Sequence, residues 1–321
     1  MAQKFVDLRN QGFFDDHEDL LTVYGGRKQA KKVNKMKTKK EKKENKVVKK
    51  AEEVDAFQHY PIYMTFTVPL IVAVEGMIGV GKSTILTVFE EQQINGSAFI
   101  FKERLKEWQT PQENGKSVLD MYYKDTRKNA FSLQSTVLSS MVKRSLDARA
   151  MFDQTNDYSS WILQERSVMA SLEVFIRENE QHMSKELFDM LVSSTTNVIN
   201  THESNQIRIG IILDLDTNFK RMKKRARPSE THITRRYFER VYWRYYFFIW
   251  EKCHYVISSE GKQPEPTPYE YATTINAIVN AYRDYTSPNV GEDIQRDLDE
   301  LPLPVRRTNV PLPVPPPLFV K

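Results

Sequence analysis

The chain has 321 residues, a single cysteine, and a net charge of +5 from 47 Lys or Arg and 42 Asp or Glu. This length suits one large α/β domain or two small ones. One cysteine excludes a disulfide framework within the chain and indicates a reducing compartment. No apolar stretch approaches the length of a membrane span or of a signal-peptide core, so we expect a cytoplasmic or nuclear protein without a membrane partner.

The positive charge is concentrated near the N-terminus. Residues 27–50 carry 13 Lys or Arg and 2 Glu, a net charge of +11, which leaves −6 for the rest of the chain. This run lies within a tail of residues 1–66 and contains too few apolar residues to form a core, so we expect it to be disordered. It predicts an arm for nucleic acid or for an import receptor, with a solvated linker as an equally weighted alternative. Mitochondrial import is less favoured, because presequences start at the N-terminus and avoid acidic residues.

Between residues 67 and 287, short β-rich runs alternate with helical patterns, which is typical of a parallel sheet covered on both faces. The predicted strands are residues 70–75, 98–103, 160–165, 207–215 and 253–258. The predicted helices are residues 83–92, 131–150, 168–179, 185–200, 219–224 and 233–251. The C-terminal residues 288–321 are proline-rich and predict a disordered polyproline II tail, either an SH3-type ligand or a spacer.

A phosphate-binding motif directly follows the first strand. It consists of Gly76, Met77, Ile78, Gly79, Val80, Gly81, Lys82, Ser83 and Thr84, which fit G-x-x-x-x-G-K-[ST]. The glycines let backbone N–H groups point at an anion, the lysine reaches the β- and γ-phosphates, and the serine hydroxyl faces Mg²⁺. The sequence therefore predicts a P-loop protein that binds ATP and Mg²⁺, with a five-stranded parallel sheet flanked by helices.

Further blocks follow this loop in a fixed order. They are Glu103 with Trp108, Met121-Tyr122-Tyr123-Lys124-Asp125, Leu133-Gln134-Ser135, Glu165-Arg166-Ser167-Val168, and Arg225-Ala226-Arg227-Pro228-Ser229-Glu230. Together with the loop they resemble the deoxyribonucleoside kinases, a family that includes mitochondrial thymidine kinase, deoxycytidine kinase and the broad-specificity insect enzyme. The resemblance implies a homodimer that phosphorylates the 5′-hydroxyl of a deoxyribonucleoside in nucleotide salvage.

The resemblance also implies catalytic roles that suit the residue types. Phosphoryl transfer needs a carboxylate near the attacking hydroxyl, neutralisation of the phosphoryl charge, and exclusion of water. Glu103 is the expected general base, and Arg166 is expected to hold the 5′-oxygen and the phosphoryl group beside Lys82. Glu165 is expected to act with Ser83 on Mg²⁺. The basic segment that contains Arg225 and Arg227 is expected to close as a lid over the donor phosphates.

The nucleoside pocket is predicted partly from helix geometry. Gln134 and Met141 are seven residues apart and share one helical stripe, and the glutamine amide can pair with the edge of a pyrimidine. The resemblance implies that Phe175 stacks on the base, with Ser171 one turn before it. Deoxycytidine-type relatives carry Arg and Asp at the positions of Met141 and Ser171, so this pair predicts thymidine or mixed pyrimidine use.

Three other residues complete the predicted pocket. By resemblance, Tyr123 and Glu230 hold the 3′-hydroxyl, and Trp108 forms a wall. Ordinary core packing is the alternative interpretation for Trp108, Met141 and Phe175.

Some residues depart from the family pattern. Arg104 stands where the family has Pro, Leu133 replaces an aromatic residue, and Leu172 replaces an arginine that helps to organise the site. These departures bear on turnover rate and substrate choice more than on the fold. With the long tails, they predict a divergent member of the kind found in viruses.

Two other function classes remain open at this point. One is a P-loop ATPase in which Asp214 and Asp216 form the acidic end of a Walker B strand. The other is a weakly catalytic relative that serves as a nucleic-acid-binding or assembly factor through residues 27–50. The kinase interpretation alone accounts for Glu103, Gln134 and the predicted lid.

Overall fold

The computed structural model describes residues 69–94, 98–111, 115–155, 160–262, 264–284, 301 and 303–310. The predictions for residues 1–66, including the basic run, lie outside the described residues. The same holds for residues 285–300 and 311–321 of the C-terminal part.

A six-stranded sheet organises the described residues. Its strands are β1 (Leu70–Gly76), β2 (Ala98–Phe101), β3 (Trp161–Glu165), β4 (Gln206–Ile212), β5 (Tyr255–Ser258) and β6 (Val305–Arg307). Their order across the sheet is β2-β3-β1-β4-β5-β6, and the first five are parallel to one another. The predicted α/β P-loop fold and its five parallel strands are confirmed, with shifted strand ends.

The sixth strand corrects the prediction for the C-terminus. Residues 305–307 were expected in a proline-rich tail, but they pair antiparallel with β5, with Val305 opposite Ile257. The next residue extends the contact, because the Thr308 N–H donates to the His254 carbonyl at 2.9 Å. Prolines flank this short segment, but none lies within it. Each of its residues therefore has an N–H that can pair, as an edge strand requires.

Helices cover both faces of the sheet. They are α1 (Lys82–Gln92), α2 (Leu105–Gln109), α3 (Val118–Lys124), α4 (Thr126–Thr155), α5 (Val168–Ala170), α6 (Lys185–His202), α7 (Leu215–Arg225), α8 (Arg235–Lys252) and α9 (Pro268–Asp284). The prediction missed α2, α3 and α9. The predicted helix 168–179 is wrong in form, because α5 gives way to a π-helical turn at Ser171–Ile176. None of the helices in the described part of the chain combines the length and apolarity needed to cross a bilayer.

The core forms two layers, one on each face of the sheet. Both β3 and β4 are buried along their whole length, as expected for parallel strands covered on both sides. Helices α1 and α9 pack on one face, and α8 packs on the other. Gly210 of β4 allows α8 to approach closely, because a Cβ there would lie 2.3 Å from Cγ2 of Ile249.

The strand order determines where a ligand can bind. The neighbouring strands β1 and β3 have connections that leave in opposite directions, β1 toward β2 and β3 toward β4. A crevice forms at the carboxyl ends of strands where the order reverses in this way. The loop after β1 and the Glu165-Arg166 turn after β3 therefore meet at one site.

Candidate active site

The loop after β1 curls around the start of α1. Gly79 and Gly81 have φ angles of 93° and 105°, in the left-handed region that favours glycine. The Lys82 ammonium donates to the carbonyls of Gly76 at 2.8 Å and Met77 at 3.4 Å. Burial, and secondarily the positive charge of Arg166, lower the pKa of Lys82 to about 8. The loop backbone and this lysine together have the geometry to surround an anion.

Two side chains at the loop carry oxygen atoms that could bind a metal ion. The Ser83 hydroxyl donates to Oε1 of Glu165 at 2.9 Å, and the Glu103 N–H lies 3.4 Å from Oε2 of the same carboxylate. A hydroxyl and a carboxylate held together fit the oxygen preference of Mg²⁺. The described residues contain no group of three or more His, Cys, Asp or Glu arranged to hold a metal. Mg²⁺ commonly completes its coordination at one or two such side chains with water and phosphate oxygens.

Glu103 and Arg166 form a buried ion pair. Oε1 of Glu103 lies 2.8 Å from Nη1 of Arg166, with side-chain exposures of 6% and 8%. Burial raises the pKa of Glu103, and the Arg166 guanidinium opposes that rise. Arg166 has a φ of 63°, which is uncommon for a residue other than glycine and turns its side chain toward the cavity. The pair places a carboxylate and a fixed cation next to the phosphate loop.

The backbone of this turn is held by Arg144, which sequence reasoning missed. From α4, its two Nη atoms donate to the carbonyl oxygens of Glu165 at 2.6 Å and Arg166 at 2.8 Å. The Ser167 hydroxyl accepts the N–H of Ala170 and caps α5. Nothing in the spacing of its helix distinguishes Arg144 from its neighbours, so the sequence carries no signal for these contacts.

These residues surround a cavity of about 180 Å³. The predicted site residues that line it are Ile78, Gly79, Gly81, Lys82, Ser83, Thr84, Glu103, Trp108, Tyr123, Gln134, Glu165, Arg166, Phe175, Arg225, Arg227 and Glu230. Sequence reasoning did not assign a role to several apolar and aromatic neighbours in the lining, namely Leu105, Leu119, Tyr122, Val137 and Tyr237. The loop residues Gly76, Met77 and Val80 do not border the cavity. Gln134 projects from α4 and is 4% exposed, so its amide is available mainly to a ligand in the cavity.

Met141 and Ser171 lie behind the cavity lining. Each is 2% exposed, and the Ser171 hydroxyl donates to Sδ of Met141 at 3.3 Å. Trp108 separates the cavity from Met141, and its indole N–H donates to the Ser140 hydroxyl at 3.0 Å. The two residues predicted to select the base thus contact each other, but neither lines the main cavity.

The predicted lid residues contact the predicted 3′-hydroxyl ligand. Glu230 accepts from Nη2 of Arg225 at 2.5 Å, and Nη1 of Arg227 lies 3.5 Å from the same oxygen. The other oxygen of Glu230 is buried without a hydrogen-bond partner. Both arginines line the cavity, so they can turn toward a bound anion if the glutamate takes another partner.

The acidic pair of the ATPase alternative lies elsewhere. Asp216 is exposed and bonds Nη2 of Arg235 at 2.6 Å. Asp214 precedes α7, and neither aspartate lines the cavity. The carboxylate that contacts Ser83 of the phosphate loop is that of Glu165.

Comparisons with known proteins bear on the family to which this chain belongs. The sequence model of the deoxynucleoside kinase family matches residues 72–287, about two thirds of the chain. The chain belongs to the deoxynucleoside kinase family. A probable deoxycytidine kinase of fowlpox virus (strain NVSL) is 28% identical over 173 residues, which cover 50% of this chain and 64% of the viral protein. The chain therefore spans just under two thirds of that relative's length and is a divergent member of the family.

The departures from the family pattern have distinct environments. Arg104 pairs with Glu107 and Asp147 at the surface, outside the cavity. Leu133 lines the cavity, where it narrows the space near Gln134 without an aromatic face. Leu172 is buried in an apolar cluster with Phe188 and Leu191. This family member thus holds its Glu165-Arg166 turn through Arg144.

Proposed function

We propose that this protein transfers the γ-phosphoryl group of ATP to the 5′-hydroxyl of a deoxyribonucleoside. The observation that carries the proposal is a single cavity lined by a phosphate loop, a carboxylate paired with an arginine, and a glutamine beside an aromatic ring. Oε1 of Glu103 lies 2.8 Å from Nη1 of Arg166, and both residues line the cavity together with Lys82 of the loop. An ATPase would need the phosphate loop of this cavity, but it would not need the glutamine and the aromatic ring that could contact a base.

Each residue has a defined task in this reaction. Deprotonated Glu103 accepts the proton of the 5′-hydroxyl, and Arg166 neutralises charge on the transferred phosphoryl group. Lys82 binds the β- and γ-phosphates, and Arg225 and Arg227 approach them when the lid closes. Mg²⁺, held by Ser83 and Glu165, would supply charge neutralisation on the phosphate oxygens. The apolar lining limits the access of water to the transferred group.

We propose a preference for thymidine or for both pyrimidines. The Gln134 amide offers a donor and an acceptor, which suits the edge of a pyrimidine in either orientation. Phe175 lines the cavity and can stack on the base. The Met141 and Ser171 pair is uncharged, so it supplies no group selective for the exocyclic amine of cytosine. The fowlpox relative carries the name of a deoxycytidine kinase, and deoxycytidine is accordingly the second substrate to test.

The direct test is phosphorylation of the four deoxynucleosides by purified protein with radiolabelled ATP and Mg²⁺. We expect thymidine and deoxycytidine to be converted to monophosphates and the purine nucleosides to be poor substrates. Hydrolysis of ATP that is independent of every nucleoside would support the ATPase alternative. Absence of both activities, in protein that still binds ATP, would support the binding-factor alternative.

We also propose that the protein is a homodimer. Four large apolar side chains are exposed on two helices that pack together, Leu146 and Met151 of α4 and Leu187 and Met190 of α6. Contact with a second copy would cover exposed apolar side chains of this kind. The basic run 27–50 is proposed to contact nucleic acid or an import receptor.

A further inference from the structure

Arg166 has a second anchor that lies outside the cavity. Its Nε donates to the hydroxyl of Tyr245 at 3.1 Å, and that hydroxyl lies 3.0 Å from Oε2 of Glu75. A guanidinium can only donate and a carboxylate can only accept. The tyrosine hydroxyl therefore accepts from Arg166 and donates to Glu75. Tyr245 lies on α8, is 1% exposed and does not line the cavity.

Glu75 connects this anchor to the backbone of the same turn. It is fully buried at the end of β1, and its Oε1 accepts the N–H of Ser167 at 2.7 Å. One carboxylate thus fixes both the tyrosine that holds the Arg166 side chain and the residue that follows Arg166 in the chain. An isolated buried carboxylate would be costly, but this one has two donors.

The Tyr245 contact determines the orientation of the guanidinium. Nη1 of Arg166 faces Glu103, Nε faces Tyr245, and the guanidinium carbon lies 4.5 Å from the centre of the Phe175 ring. Tyr245 also packs edge-on against Phe175, with ring centroids 5.9 Å apart. Removing the hydroxyl would leave the ring packing in place and free one side of the guanidinium.

We propose that Tyr245, oriented by Glu75, is a positioning residue that aligns Arg166 for phosphoryl transfer. The proposal rests on the proposed kinase function. Misplacing a group that binds the transferred phosphoryl slows the chemical step, because the cation no longer lies where charge develops. The residues proposed to bind the base, Gln134 and Phe175, keep their own contacts in such a variant, so nucleoside binding should be largely preserved.

The variant that tests this is Tyr245→Phe, with Tyr242→Phe as the matched control. Tyr242 lies one turn earlier on α8, is also buried, and donates its hydroxyl to the Leu213 carbonyl at 3.0 Å. Both variants lose one buried hydroxyl, so a similar loss of stability is expected. In Tyr245→Phe we expect kcat to fall about 10-fold or more with the nucleoside KM nearly unchanged. In Tyr242→Phe both constants should stay close to the wild-type values.

A second variant separates positioning from general loosening. Glu75→Gln leaves one acceptor oxygen for two donors, the Tyr245 hydroxyl and the Ser167 N–H, so it weakens the same anchor and should also lower kcat. It is the second variant to measure if Tyr245→Phe does not fold.

NMR of arginine Nε–H groups makes the test independent of activity. The Arg166 signal, assigned by its loss in Arg166→Lys, should be protected from exchange in wild type and in Tyr242→Phe but not in Tyr245→Phe. Wild-type protein without nucleoside phosphorylation would defeat the proposed function, while the NMR comparison would still report on the anchor. An unchanged kcat and an unchanged Arg166 signal in Tyr245→Phe would overturn the positioning role. Equal losses of kcat in both Phe variants would overturn it as well.

Discussion

Replacing Glu103 by glutamine isolates the proton-accepting role of this side chain. The substitution keeps the shape of a group that is 6% exposed and removes its charge beside Arg166. The glutamine oxygen keeps a polar atom beside the guanidinium, and Nε of Arg166 keeps the Tyr245 hydroxyl as its partner. Glu165 and Glu75 also favour the charged form of Arg166. We therefore expect a folded protein that still binds ATP and nucleoside.

The size of the effect follows from the two contributions of Glu103. Loss of a positioned general base lowers turnover by about 10²–10⁴, equivalent to about 3–5 kcal/mol in the barrier. Removing one member of a buried ion pair outright costs about 3–5 kcal/mol of stability, and glutamine, which keeps the shape and a polar oxygen beside Arg166, should cost only about 1–2 kcal/mol. Activity should therefore fall far more than stability.

The assay measures kcat and KM for thymidine and deoxycytidine in wild type, Glu103→Gln and a control, Glu107→Gln. Glu107 lies on α2, is partly exposed and pairs with Arg104, so its charge is removed without touching the cavity. We expect only Glu103→Gln to lose turnover, with nucleoside KM nearly unchanged. A wild-type kcat in Glu103→Gln would remove this residue from the mechanism.

The remaining predictions test other parts of the site and the N-terminal tail. Lys82→Ala should abolish phosphoryl transfer in a protein whose circular dichroism is unchanged, and full activity in this variant would refute the P-loop assignment. In wild type, kcat/KM should decline above about pH 8, where Lys82 loses its proton. Met141→Arg with Ser171→Asp should shift preference toward deoxycytidine, and each single variant should be less stable than the pair because it buries one charge alone; an unchanged kcat/KM ratio would exclude both from base selection. Deleting residues 27–50 should leave rate constants unchanged while abolishing salt-sensitive DNA binding, and equal heparin retention of both proteins would exclude a nucleic-acid role.

Much of the site could be predicted because its residues lie where local pattern and chemistry coincide. The glycine spacing of the loop predicts a phosphate site without any knowledge of the fold. Glu103 and Glu165 follow strand ends, and parallel strands bring such ends to one edge. This reasoning predicts that Glu103 and Arg166 lie close together, as they do in the structure.

The parts that could not be predicted depend on distant contacts. Arg144 and Tyr245 read as ordinary members of helices, and only packing brings them to the backbone and side chain of Arg166. The π-helical turn at Ser171–Ile176 has no signature in an apolar run that also suits an α-helix. Helical spacing places Met141 on the same stripe as Gln134, so Met141 was expected in the pocket. That spacing does not predict that Trp108 lies between Met141 and the cavity.

The C-terminal strand β6 has a practical consequence for anyone who expresses this protein. A clone that ends at residue 287, where the family match ends, would delete β6 and strip β5 of its outer partner. The backbone of Tyr255–Ser258 would then be open along one side, and open edges of this kind recruit other chains. Protein cut at that boundary should precipitate or form aggregates that the longer chain does not. A screen of end points should therefore retain residues through at least 310.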